Sequence, residues 1–156
     1  MPYKIKKFNN GYKVCKLNND KCFSNKNLSL ENAKKQMKAI IYNENKNLFK
    51  KQLNEYKLTL EEYLNLAKIK AKLNNYNPNL LSISNDGKHK LNYDGINFGK
   101  ISYKDKIIYA WLEFLNKIDD GTTKLKSNNY RKRSYNVMKK TNNNLSPASL
   151  SYYILW

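Results

Sequence analysis

The chain has 156 residues, enough for one domain or two small ones; its 40% hydrophobic content and thirteen tyrosines supply a modest core, so a large multidomain enzyme and wholesale disorder are both excluded. Thirty basic side chains against twelve acidic ones give a net charge of +18, which favours polyanionic partners. Lys, Asn, Tyr and Ile have codons built largely from A and T and make up half the chain, so part of the excess is the mark of an AT-rich genome; Asp and Glu have A/T-compatible codons too, yet stay scarce.

Two cysteines make no disulfide framework, one histidine makes no multi-histidine metal site, and the five glycines form no phosphate-cradling cluster, so no cofactor is expected. No run approaches the roughly 18 apolar residues that span a bilayer, and the N-terminus lacks a signal-peptide core. A soluble, cytosolic and mostly reduced protein without a membrane span is expected.

In chain order, YKVCK (12–16) and KCFS (21–24) flank Leu17-Asn18-Asn19-Asp20 and predict a hairpin with Lys16 opposite Lys21 and Cys15 opposite Cys22. Cysteines so opposed stand within disulfide range. They either oxidise or pack as two small apolar residues, and a reducing compartment favours packing. Ser29 as N-cap then opens a helix whose Leu30, Ala33, Met37, Ile40 and Ile41 cover the hairpin. Lys34, Lys35 and Lys38, on its other faces, either bind an anion or keep that surface in water. The polar run NENKN (43–47) is the first candidate linker. A helix over 47–57 carries Leu48, Phe49, Leu53 and Tyr56. Another, opened by a capping box of Thr59 and Glu62, runs to Leu73, and its apolar residues cover more than one face, so it packs against two neighbours or a partner. Asn74, Asn75 and Pro78 end it.

Beyond Asn79, LLSIS (80–84), HKLNY (89–93) and INFG (96–99), separated by Asn85-Asp86-Gly87 and Asp94-Gly95, predict a three-stranded meander. Ile107, Ile108, Trp111, Leu112, Leu115 and Ile118 recur at steps of three and four and predict the strongest amphipathic helix, closed by Asp119-Asp120-Gly121. A basic segment, 124–140, leads to Ser146-Pro147, an N-cap followed by a first-turn proline. The end, ASLSYYILW, is too apolar to hang free and is expected on the core. The fold class is α+β: a basic hairpin-helix module (1–45), a helical connector (46–78) and a C-terminal module (79–156) with a three-stranded meander and helices.

Charge is split unevenly, +9 over 1–50, +2 over 51–123 and +7 over 124–156, so both ends are basic. Catalytic constellations are weak. His89 lies between Lys88 and Lys90 in a strand expected to be exposed, and Cys15 and Cys22 lack two further metal ligands. Glu61-Glu62 and Asp119-Asp120 open and close helices rather than forming a dyad. A non-enzymatic protein is expected. The sharper signal is Tyr130-Arg131-Lys132-Arg133-Ser134-Tyr135, which holds the only two arginines among 28 lysines. Arginine forks onto phosphate and stacks on rings, which lysine does poorly. It also caps helix carbonyls or pairs with Asp119 or Asp120, so binding and structural use both stand. The candidate polyanion-binding set is Lys34, Lys35, Lys38, Lys124, Lys126, Arg131, Lys132 and Arg133.

Two segments carry a resemblance. Tyr12 to Lys16 (YKVCK), Lys21 to Ser24 (KCFS) and the helix from Ala33 to Ile40 form one set. Phe98-Gly99, Tyr103 with Asp105, Tyr130 to Ser134, Ser146-Pro147, Leu150-Ser151 and Ile154-Leu155-Trp156 form the other. Each resembles a short module of small basic proteins of the nucleocytoplasmic large DNA viruses, the giant viruses. Together they cover roughly two thirds of the chain, with 45–79 outside. Asn97 and Ser134 stand where the second module often has histidines. The resemblance implies a virion-associated or minor capsid-type protein without enzymatic activity, located in the virion and the viral factory of the host cytoplasm, with other virion or capsid proteins as partners. The alternative is a DNA- or RNA-binding protein of viral replication, transcription or genome packaging.

Overall fold

The computed structural model describes residues 3–18, 21–141 and 144–156. It is an α+β fold with a two-stranded and a three-stranded antiparallel sheet. The chain divides into two compact units, Met1–Glu44 and Asn45–Trp156.

In the first unit β1 (Tyr3–Phe8) pairs with β2 (Gly11–Lys16), setting Tyr3 opposite Lys16 and Phe8 opposite Gly11. The hairpin expected between 12–16 and 21–24 is reduced to a bridge on the other edge of β2. There Cys15 faces Cys22, the Lys16 N–H donates to the Lys21 carbonyl at 2.9 Å, and the Phe23 N–H donates to the Val14 carbonyl at 2.9 Å. The longer ladder goes to residues 3–8, where Tyr3 and Ile5 alternate with Lys4 and Lys6 and Asn9-Asn10 supplies a two-residue turn. Asn19 and Asp20 of the expected turn lie outside the described residues. Cys15 and Cys22 form a disulfide, their Cα atoms 3.9 Å apart.

Helix α1 (Leu30–Glu55) starts as Ser29 requires, its Oγ accepting from the Asn32 N–H at 3.2 Å. The polar run 43–47, expected as a linker, lies inside this helix: Asn, Glu and Lys are tolerated there and neither Gly nor Pro interrupts it. Tyr3, Val14 and Ala33 form the core of the first unit, with Ile5, Leu28, Met37, Ile40 and Ile41 packed on it, and the Tyr3 hydroxyl donates to Glu44.

In the second unit α1 ends with Lys57 at φ 55° and the Leu58 N–H on the Leu53 carbonyl at 3.0 Å. Helix α2 (Leu60–Leu73) opens on the expected capping box: Thr59 Oγ1 accepts from the Glu62 N–H at 3.1 Å, and Glu62 Oε2 accepts from the Thr59 N–H at 2.7 Å. Asn75, at φ 63°, ends it, with the Tyr76 N–H on the Ala71 carbonyl at 2.9 Å. Residues 46–78, expected as a connector, give Phe49, Leu53, Leu58, Tyr63, Ala67 and Ala71 to the core of this unit. Each large side chain so buried contributes roughly 2 kcal/mol.

The meander forms as β3 (Leu81–Ile83), β4 (His89–Tyr93) and β5 (Ile96–Lys100), with Leu81 opposite Tyr93 and Leu91 opposite Phe98. Asp94 and Gly95, at φ 47° and 84°, make the tight β4–β5 turn. Helix α3 (Lys106–Phe114) is shorter than its apolar repeat predicts. Asn116 at φ 52° and the Lys117 N–H bond to the Leu112 carbonyl (2.9 Å) stop it, while Ile118 still packs on the core. Asp119-Asp120-Gly121 therefore leads into α4 (Thr122–Lys140), with the Thr122 N–H on the Asp119 carbonyl at 3.2 Å, instead of closing α3. Ser146 caps α5 (Pro147–Leu150), its Oγ accepting from the Ser149 N–H at 3.0 Å. A π-helical turn, Ser151–Leu155, follows, and Leu150, Ile154 and Leu155 are fully buried, as their composition demanded.

Candidate functional site

A cleft of about 550 Å³ opens in the second unit between the end of β5, the segment 101–105, α4 and the terminal turn. Helix α4 presents Lys126, Asn129, Tyr130 and Arg133 to it, the i, i+3, i+4, i+7 positions of one face. Lys100, Tyr103 and Lys104 border it from the opposite side, and Tyr109, Leu155 and Trp156 complete the wall.

Its rings are ordered. Tyr130 stacks on Trp156 with centroids 4.5 Å apart and planes 9° from parallel, and Tyr109 approaches the same indole at 6.1 Å. Tyr103 is 65% exposed, with the Lys100 ammonium 5.4 Å from its ring centre. Gly99, at φ 72°, lets β5 approach the terminal turn; a Cβ there would collide with the buried Leu155 side chain.

One buried ion pair fixes the cleft from beneath. Lys90 Nζ reaches Asp105 Oδ2 at 2.6 Å and also donates to the Tyr103 carbonyl; the two side chains are 1% and 3% exposed. Asp105 also accepts from the Tyr63 hydroxyl at 2.7 Å and, as N-cap of α3, from the Ile108 N–H at 3.1 Å. Burial, then the Asp105 charge and hydrogen bond, push the Tyr63 phenol well above its ordinary value, so it remains a donor. The expectation that 88–90 forms an exposed strand fails at Lys90, because both faces of β4 are covered and the ammonium needs its carboxylate.

The sequence-derived set divides. Lys34, Lys35 and Lys38 lie exposed on α1 in the first unit, where Lys35 pairs with Glu31 at 2.8 Å. The other five lie on α4. Lys126 and Arg133 border the cleft, Lys124 and Arg131 border a separate polar hollow, and Lys132 is exposed beside neither. Arg131 is used structurally: its Nε donates to the Trp156 carbonyl at 3.2 Å and its guanidinium lies 5.2 Å from the Tyr152 ring centre. Sequence reasoning missed Lys100, Lys104 and the Lys90–Asp105 pair as site residues. The helical spacing of Lys126, Tyr130 and Arg133 was the signal that would have separated one face of α4 from the other.

His89 is held by Asp86, Nδ1 to Oδ2 at 2.5 Å. Burial pushes the Asp86 carboxyl up, but hydrogen bonds from the His89 ring, the Lys88 and His89 N–H groups and Ser84 outweigh it and hold the group at about 2. The Ser84 hydroxyl bonds Asp86 rather than His89, so no nucleophile–base–acid order is assembled there. Among the described residues no group of three or more His, Cys, Asp or Glu converges as metal ligands, and no helix is long and apolar enough to cross a membrane. Comparison with protein-family models, curated proteins and solved structures finds no match to this chain.

Proposed function

We propose that the cleft binds single-stranded nucleic acid. The observation that carries this reading is one concave site in which Lys100, Lys104, Lys126 and Arg133 surround the rings of Tyr103, Tyr109, Tyr130 and Trp156. Among its described lining residues the one acidic side chain, Asp105, is committed to Lys90 and Tyr63, so four cations face the cleft with no acidic side chain of the lining left for them. Cations that track a backbone beside rings that receive bases are the two parts of a single-strand site, and a volume of about 550 Å³ suits a nucleotide-sized occupant.

Fluorescence anisotropy of a labelled oligonucleotide across a salt series tests this. Four phosphate contacts on a single strand predict that log K falls with log salt at a slope of about −3. Arg133→Ala should lower that slope by roughly 0.7. Tyr103→Ala should cost about 1–3 kcal/mol of affinity with the slope unchanged. Affinity indifferent to both substitutions would refute the reading.

A second reading is contact with other virion proteins, as the resemblance to giant-virus proteins implies. It is favoured by an apolar hollow of about 310 Å³ lined by Leu66, Ile69, Ala110, Trp111 and Phe114, with Ile69 58% and Phe114 74% exposed. Mass spectrometry of purified particles tests it, and absence of the protein from them would count against it.

A further inference from the structure

Helix α4 has a second basic side, and it lies near a lysine whose ammonium has no hydrogen-bond partner among the described residues. Lys70, near the end of α2, has its Nζ enclosed with no hydrogen-bond partner. Its charged neighbours are Lys106 on α3, Arg131 on α4 and Asp105, whose carboxylate is already taken by Lys90, Tyr63 and the Ile108 N–H. Lys106 borders two hollows. One, apolar, is shared with Lys70; the other, about 350 Å³ and polar, is shared with Arg131, Lys124, Thr123 and a single acid, Glu113. Thr123 Oγ1 is also enclosed without a partner.

An ammonium shut away from water without a counter-charge is costly, and two more cations beside it raise that cost. Two unfilled donors, and four cations against Glu113 and an Asp105 already engaged elsewhere, form the complement of an oxyanion. We propose that Lys70, Lys106 and Arg131 hold a phosphate-sized oxyanion where α2, α3 and α4 meet. Neither Lys70 nor Lys106 borders the aromatic cleft, so the inorganic-phosphate arm is independent of the nucleic-acid reading and only the oligonucleotide arm rests on it. The phosphate comes either as free inorganic phosphate or as a phosphodiester of a bound strand.

The anion-free state has its own signature. Burial, then Lys106, pull the Lys70 ammonium down to about 8, with Asp105 opposing and Arg131 adding to the fall. A bound dianion reverses this. The test is pH titration of the full chain carrying ¹³C-methylated lysines, in chloride, in inorganic phosphate, and with an oligonucleotide lacking a terminal phosphate, at matched ionic strength. The Lys70 signal is assigned from its loss in Lys70→Gln. Its midpoint should rise by about one pH unit or more with phosphate or with the oligonucleotide, and the arm that moves it identifies the source. An unmoved midpoint in both arms would overturn the proposal. As a second measurement, added phosphate should raise the urea midpoint of wild type and of Lys50→Gln, an exposed lysine of α1, whereas Lys70→Met should weaken the apparent affinity by tenfold or more, about the loss of one charge-assisted hydrogen bond. Equal stabilisation of all three would overturn it as well.

Discussion

Replacing Lys90 by Met removes the cation that pairs with Asp105 and leaves a carboxylate that is 3% exposed facing an apolar side chain. The Tyr63 hydroxyl at 2.7 Å and the Ile108 N–H at 3.1 Å would remain as donors, but neither carries charge. Breaking a buried pair from one side costs about 3–5 kcal/mol, a large share of the 5–15 kcal/mol that ordinary domains possess. Asp105→Asn keeps the N-cap acceptor and strands the ammonium instead, at similar cost. The double variant, Lys90→Met with Asp105→Asn, removes both charges and should recover roughly 2–3 kcal/mol relative to the sum of the singles. Urea unfolding followed by far-UV circular dichroism measures all four corners of the cycle. Lys90 also fixes the Tyr103 carbonyl, so the same variant should weaken oligonucleotide binding although its ammonium is not one of the four free cations. Single variants within 1 kcal/mol of wild type, with additive effects, would refute the view that this pair anchors the cleft.

Other outcomes follow from geometry and titration. Gly99→Ala, at φ 72° and against Leu155, should cost about 1–3 kcal/mol and weaken oligonucleotide binding; unchanged urea and anisotropy curves would remove the need for glycine there. Lys70 titrates lower folded than unfolded, so the unfolded chain binds the extra proton between about 8 and 10.5; in chloride, stability should rise with pH across that window and lose the rise in Lys70→Met. Asp86 is held at about 2 against an ordinary 3.8, so its contribution is complete above 3.8 and disappears as pH falls through 2; acid unfolding of His89→Ala should begin at a higher pH. Reducing Cys15–Cys22, which closes a short loop with a sequence separation of 7, should cost roughly 2–3 kcal/mol, read as a lower urea midpoint for the first unit in dithiothreitol.

Local signals were the most legible. The Thr59–Glu62 box, the Ser29 and Ser146 caps, the Asp94-Gly95 turn and the buried terminal apolar run all follow from chemistry within a few residues. What the sequence concealed depends on distant partners. The partner of 12–16 lies mainly at 3–8, which ladder along one edge of β2 through a two-residue turn, while 21–24 touch its other edge only at a bridge. Polar residues 43–47 look like a break only if helicity is judged by hydrophobicity; without Gly or Pro the helix passes through them. The basic run 130–135 left binding and structural use both open, and did not show that helical rotation would send Arg131 to a carbonyl and a tyrosine ring while Arg133 reached the cleft. Lys90 and Lys70 look like any of 28 lysines until the fold encloses them.

The parallel Tyr130–Trp156 stack gives the cleft an optical signature of its own. Rings 4.5 Å apart are close enough for their electronic transitions to couple, so a near-ultraviolet dichroism band that changes with their separation is expected. The second tryptophan, Trp111, donates its indole N–H to the Tyr56 carbonyl at 2.8 Å and does not border this cleft. A Trp111→Phe chain therefore keeps one tryptophan, on the cleft wall, which excitation at the red edge selects over the thirteen tyrosines. Occupancy becomes readable without a label, from the unmodified ring against which a ligand would come to rest.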